Sequence, residues 1–168
     1  MGVGTTDWIG GVVKVAVIGS FKQHYPAVKD VIGVFRDAGL HVTSPAGSDL
    51  AVAEVDFVRF ETDRAEYSDA EIQAVTLCNI FEADAIYVVA PGGYVGRTTC
   101  YEIGRIIQAG KPLYVSETIK DLPIQIPSSH VISAVELGIR FAANDVRAFT
   151  WDRGSVIADA EARLVVSA

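Results

Sequence analysis

The sequence predicts a three-layer α/β sandwich, in which a mostly parallel central sheet carries helices on both faces. Residues 12–18 and 84–90 are apolar runs that indicate strands buried on both faces, as in parallel sheets. Segments with helical spacing of apolar residues alternate with such runs, as βαβ units require. The chain has 168 residues, half of them apolar. We therefore expect a single domain over residues 1–168, with residues 1–11 as a flexible start.

The first third of the chain shows one complete βαβ unit. The strand over residues 12–18 ends at Gly19. A helix is predicted from Pro26, which suits a first helical turn, to a stop at Gly39. Its apolar positions fall at i, i+3, i+4 and i+7, and they are Val28, Val31, Ile32 and Phe35. A second strand is expected over residues 40–43.

The middle of the chain is less regular. Residues 46–67 are predicted to form a loop, with a short strand near residues 55–60. Ser68 and Glu71 then form a capping-box pair, which starts a helix that runs to about Glu82.

The second half repeats the alternation of strands and helices. The expected elements are a strand at 84–90, a glycine-rich loop at 91–96, a helix at 98–109, a strand at 112–115, a short strand at 131–132 and a closing helix at 155–165. This pattern is typical of a Rossmann-like fold, whose ligands bind beyond the carboxyl ends of the strands.

Charge narrows the choice of partners. The chain carries 14 basic and 21 acidic residues, a formal net charge of −7. This balance argues against binding to a nucleic-acid polymer or an anionic membrane, but it leaves a small anion possible. Cys78 and Cys100 are too few for a disulfide framework, so reduced thiols and a cytoplasmic location are expected.

The loop at 91–96 and the start of the next helix form the most specific candidate site. Gly92, Gly93 and Gly96 allow close approach of a ligand to the backbone, and Tyr94 lies among them. Free amides at the helix start favour an anion, and three adjacent side chains add donors: Arg97, Thr98 and Thr99. The alternative is a turn that needs glycine for its geometry alone.

Glu102 lies one turn inside that helix. The positive helix pole is expected to keep this carboxylate ionised and available as a nucleophile, as in glycosidases. The spacing from Thr99 to Glu102 also fits a capping box, so Glu102 serving only as a cap stays open as an alternative.

The loop after the first strand contributes a second set of donors. Gly19, Ser20 and Lys22 suit a phosphate or sugar, and Phe21 suits stacking on a base. Pro45, after the second strand, is expected at the same edge of the sheet. An ordinary solvated connection is the alternative for this loop.

Other chemistries lack support in the sequence. Neither the dinucleotide nor the P-loop glycine fingerprint is present, and there is no nucleophile elbow. The three histidines lie far apart in sequence, so we expect no metal site. Cys100 falls in the first turn of a helix, where a thiol pKa is lowered, but no partner base accompanies it and a packed residue is the simpler interpretation.

Together these residues resemble the nucleoside 2-deoxyribosyltransferase-like superfamily, which includes nucleoside 5′-monophosphate N-glycosidases. The similarity covers about residues 13–117, in the segments 15–20, 83–89, 101–104 and 110–112. The resemblance implies that Glu102 attacks C1′ of the sugar and displaces the base, without a metal or organic cofactor. It also implies a homo-oligomer. The loop at 91–96 is similar, more weakly, to the glycine signature of phosphoribohydrolases that release cytokinin-type bases.

The chain departs from the family pattern at two positions. Ala16 stands where a tyrosine is common, and Thr76 stands where a catalytic aspartate is common. Candidates for the missing proton donor are Asp56, Glu61 and Asp63. The leading hypothesis is cleavage or exchange of an N-glycosidic bond in a nucleoside or its 5′-monophosphate, with hydrolysis slightly favoured. The alternatives are a non-catalytic nucleotide-binding module and a subunit of a larger assembly.

Overall fold

The computed structural model describes residues 11–46, 50–52 and 59–165 and confirms the predicted α/β class. Its strands are β1 (Lys14–Gly19), β2 (His41–Ser44), β3 (Leu50–Val52), β4 (Arg59–Phe60), β5 (Ala85–Val89) and β6 (Leu113–Val115). Its helices are α1 (Phe21–Asp37), α2 (Asp69–Glu82), α3 (Arg97–Gln108), α4 (Ala134–Ala142) and α5 (Val156–Val165). The flexible start expected at 1–11 lies, apart from residue 11, outside the described residues.

The central sheet is parallel and has the strand order β2-β1-β5-β6. The chain passes from β1 to β2 on one side, then returns to place β5 on the other side of β1. The end of β1 pairs with the end of β5, with Gly19 opposite Val89. The gap between the loops after β1 and β5 is therefore the switch point at which ligands bind in such sheets.

Side chains alternate between two cores, one on each face of the sheet. Ala16 and Ile18 of β1 point into the core beneath α2 and α3. Val15 and Val17 point into the core beneath α1 and α4. From Val15 to Gly19 the strand is buried on both faces, as its apolar run, broken only by Lys14, predicted. Within the described residues, no helix is long and apolar enough to cross a membrane.

The start of α1 differs from the prediction. The helix begins at Phe21 with Ser20 as its N-cap, so the expected loop at 19–25 is mostly helical. The backbone at His24 is non-helical (φ −125°, ψ 29°), and Pro26 follows this kink. Proline therefore opens the second part of the helix, since its ring disfavours an unbroken helix through the preceding turn.

Helix α4 was not predicted, although the sequence carries its signal. Ser133 is the N-cap, and its hydroxyl accepts a hydrogen bond from the backbone N–H of Glu136 at 3.3 Å. The same Ser-x-x-Glu spacing starts α2 at Ser68, where the predicted capping box is confirmed. The expected strand at 131–132 is reduced to a single bridge between Val131 and Val115.

Candidate functional site

A cavity of about 380 Å³ lies at the switch point, beyond the ends of β1 and β5. This volume falls in the range of small-molecule sites. Its lining residues are Gly19, Ser20, Phe21, Lys22, Phe60, Asp63, Ile72, Gln73, Thr76, Tyr94, Gly96, Arg97, Thr98, Thr99 and Glu102. Most of the residues predicted from the sequence thus face one space.

The ends of β1 and β5 and the segments that follow them lie in close contact. A Cβ at Gly19 would lie 2.7 Å from the carbonyl oxygen of Val89, so only glycine allows this close approach. A Cβ at Gly96 would lie 3.6 Å from Oγ of Ser20. The hydroxyl of one loop is therefore a neighbour of the backbone of the other.

Three predicted site residues do not line the cavity. Pro45, at the end of β2, is buried away from it. The backbone N–H of Gly92 donates to Oε2 of Glu117 at 3.1 Å. Gly93 has a φ of +81°, and a Cβ there would lie 2.6 Å from the carbonyl oxygen of Thr118. Gly92 and Gly93 thus serve the fold of the loop and its packing, the alternative that the sequence left open.

Two helix N-termini converge on the cavity. Ser20 caps α1 and Gly96 caps α3, yet neither helix start has a side-chain cap or an acidic residue in its first turn. Unsatisfied amides and the helix dipole favour an anion at such ends. Arg97, in the first turn of α3, adds a cationic side chain to the lining.

Glu102 is buried against this cavity, with 5% of its surface exposed. Nε2 of Gln73 on α2 donates a hydrogen bond to Oε1 of Glu102 at 2.9 Å. Burial raises the pKa of Glu102 to about 7, and the bond from Gln73 only partly opposes this rise. The carboxyl group is thus costly to ionise, and the expectation that the helix pole keeps it ionised is wrong.

The position of the N-cap of α3 explains why the helix pole does not keep Glu102 ionised. Because Gly96 is the N-cap, Glu102 lies in the second turn, beyond the free amides of the helix start. The capping box between Thr99 and Glu102 is also wrong, since Thr99 lies inside the first turn. Glu102 points across to α2 instead of back to its own helix.

Several lining residues were missed by the sequence argument. Phe60 packs edge-to-face on Phe21, with ring centroids 5.0 Å apart. Ile72, Gln73 and Thr76 lie on one side of α2, at positions i, i+1 and i+4, and the polar pair Gln73 and Thr76 has the i, i+3 spacing of helix neighbours.

Of the three proposed proton donors, Asp63 lines the cavity. Its Oδ2 accepts a hydrogen bond from the backbone N–H of Phe60 at 2.7 Å, which fixes the carboxyl in place. Glu61 does not line the cavity, and Asp56 lies outside the described residues. Asp63 and Glu102 are thus two carboxyl groups that face one space.

The two departures from the family pattern occupy different places. Ala16 is fully buried in the core beneath α2 and α3, so it brings no functional group to the cavity. Thr76 lines the cavity, one helical turn after Gln73, with a hydroxyl where the resemblance led us to expect a carboxyl.

Cys100 is a packed residue of α3. Burial and the charge of Asp121 raise the pKa of the Cys100 thiol, which opposes activation by the helix start. Its side chain packs against the core beneath α2 and α3, as a small packed residue does. Within residues 11–46, 50–52 and 59–165, no group of three His, Cys, Asp or Glu side chains is placed to hold a metal ion.

The fold and the site define a Rossmann-like α/β domain with a buried glutamate in its switch-point cavity. Comparisons with protein-family models, curated proteins and solved structures find no match. The residues of the cavity itself therefore carry the functional proposal.

Proposed function

We propose that this protein cleaves or exchanges the N-glycosidic bond of a nucleoside or a nucleoside 5′-monophosphate, with hydrolysis favoured. The observation that carries the proposal is the buried Glu102, which faces a ligand-sized cavity at the end of the sheet where two helix N-termini meet. No metal or organic cofactor takes part in the proposed reaction.

The reaction begins with the carboxylate of Glu102. One oxygen attacks C1′ of the sugar and forms an ester, while the C1′–N bond breaks and its electron pair leaves with the base. Asp63 is the proposed donor of the proton that the leaving base takes up. Water then attacks C1′ and passes a proton to Asp63 while the C1′–O bond to Glu102 breaks, which releases the sugar and regenerates both carboxyl groups. A second base in place of water gives exchange.

The end of the cavity formed by the starts of α1 and α3, which we call the anion end, favours a monophosphate as substrate. The starts of α1 and α3 present amides there, and Arg97 adds a positive charge. A phosphate at a helix start gains charge-assisted hydrogen bonds from such donors. These donors also explain how an acidic chain of net charge −7 can attract a nucleotide.

A binding module without chemistry is the second candidate. Ala16 brings no side chain to the cavity, and Thr76 brings no carboxyl group. Such a module would hold a nucleotide through the same donors but leave its glycosidic bond intact.

The proposal includes a homo-oligomer and a cytoplasmic location. Val75 and Tyr101 are each 48% exposed on α2 and α3, next in sequence to the lining residues Thr76 and Glu102. Contact with a second copy of the chain would cover these exposed side chains. Cys78 and Cys100 are free thiols, as a reducing compartment maintains.

Incubation with ribo- and deoxyribonucleosides and their monophosphates tests the proposal, with free base measured by chromatography. We expect base release from wild type and from the control Glu82→Gln, whose exposed side chain lies at the end of α2. We expect none from Glu102→Gln. Saturable nucleotide binding without release would favour the module, and release that persists in Glu102→Gln would refute the role of Glu102.

A further inference from the structure

One hydrogen bond sets the orientation of the candidate nucleophile. Gln73 lies in the first half of α2, and its Nε2 reaches Oε1 of Glu102 on α3 at 2.9 Å. Both side chains line the cavity. The bond therefore joins two helices at the wall where the reacting carboxylate stands.

Among the described residues, few groups other than Gln73 interact with the carboxylate of Glu102. Within the described part of the chain, no ion pair joins its carboxylate to a cation, and Oε2 receives no hydrogen bond. Other ionisable groups line the cavity from the start of α1, the turn after β4, the loop after β5 and the start of α3; they are Lys22, Asp63, Tyr94 and Arg97. Gln73 is thus the side chain that holds the group.

A terminal carboxyl needs such a partner to keep its orientation. The last torsion of a glutamate joins an sp³ to an sp² carbon, and its energy minimum is broad. A bond to one oxygen fixes the plane of the carboxyl and leaves the other oxygen for the substrate. A lysine or arginine would hold the group as well, but its charge would stabilise the carboxylate and so lower its reactivity as a nucleophile.

We propose that Gln73 is a positioning residue, which holds Oε1 of Glu102 so that Oε2 faces the sugar carbon under attack. This inference rests on the proposed glycosidic chemistry. Its role differs from that of a substrate contact, because Gln73 acts through Glu102.

Gln73→Met tests the inference, because methionine keeps the length of the side chain and removes the donor. Loss of orientation lowers kcat about 10- to 100-fold and leaves KM within about twofold. The acidic limb of the pH profile also moves to higher pH, since the lost donor stabilises the charged form. Gln108→Met, at the exposed end of α3, is the matched control and retains wild-type kinetics.

Gln73→Asn is the second variant, since its amide is too short to reach Oε1, and it has the same kinetic signature. The role is overturned if a folded Gln73 variant keeps its plateau kcat and its pH profile, or if KM alone changes.

An infrared titration separates this inference from the proposed function. The carboxyl band that wild type shows and Glu102→Gln lacks belongs to Glu102. We expect the pH midpoint of its titration to rise in Gln73→Met. If wild type releases no base while this midpoint rises, the glycosidic proposal fails and the Gln73–Glu102 coupling stands without its catalytic role. An unchanged midpoint overturns the coupling itself.

Discussion

Replacing Glu102 by glutamine should stabilise the protein, and the gain should grow with pH. The folded state holds the proton of this carboxyl up to a pKa of about 7, compared with 4.5 for an ordinary glutamate. At about 1.4 kcal/mol per pKa unit, the difference corresponds to about 3 kcal/mol. Because the side chain is buried, solvent screens little of this cost.

The sign follows from the protons that each state binds. Below pH 4.5 both states of wild type hold the proton, and ionisation costs nothing. As the pH rises through the interval from 4.5 to about 7, the unfolded chain releases the proton while the folded chain keeps it, so stability falls. Above about pH 7 the full cost applies, and the neutral glutamine avoids it while still accepting the bond from Gln73.

Urea denaturation at pH 5 and pH 8.5 measures this difference. We expect Glu102→Gln to exceed wild type by less than about 1 kcal/mol at pH 5 and by about 3 kcal/mol at pH 8.5. The exposed control Glu82→Gln should stay within about 0.5 kcal/mol of wild type at both values. An equal gain at both pH values would refute the cost of ionisation, and a loss at pH 8.5 would show that the charged form stabilises the fold.

Three further changes test the loop, the anion end and a helix start. Gly93→Ala should lower the free energy of unfolding by about 1–3 kcal/mol, since its φ is +81° and its Cβ would press on Thr118; unchanged thermal unfolding would contradict this. Arg97→Met should raise KM for a nucleoside 5′-monophosphate about tenfold and leave KM for the nucleoside unchanged; equal effects on both substrates would show that the phosphate does not bind beside Arg97. Ser68→Ala should cost about 1 kcal/mol in urea, because the hydroxyl caps the backbone N–H of Glu71 at 3.3 Å; no loss would contradict the cap.

The layers of the fold could be predicted because local signals agreed with the global arrangement. The apolar run of β1, broken only by Lys14, indicated burial on both faces, and the capping box at Ser68 indicated the start of α2. The start of α1 could not be predicted, because Pro26 indicates a first helical turn, whereas the helix begins at Phe21, before the kink at His24. Helix α4 was overlooked, although Ser133 carries the capping signal.

The candidate site could be predicted only where it follows the strand ends. Ser20 and Arg97 come directly after β1 and the loop of β5, so the rule for parallel sheets placed them together. Asp63, in the turn after β4, could be named only as one of three candidates, and Gln73 on α2 was not predicted, because no spacing along the chain relates either residue to Glu102. The ionisation of Glu102 also depends on burial by distant segments, which spacing along one helix does not report.

The free-energy cost of ionising the buried Glu102 bears on the choice between an enzyme and a binding module. A buried carboxyl with one neutral donor destabilises the fold at neutral pH, and an uncharged side chain of similar size would avoid that cost. Anion binding at the starts of α1 and α3 does not need this carboxylate, whose charge would repel a phosphate. A nucleophile, in contrast, gains reactivity from poor solvation and from a bond that leaves one oxygen uncommitted. The enzyme hypothesis therefore explains both the free-energy cost of ionising Glu102 and its bond to Gln73, whereas the binding-module hypothesis explains neither. The enzyme hypothesis requires that Glu102→Gln binds monophosphate as wild type does but releases no base.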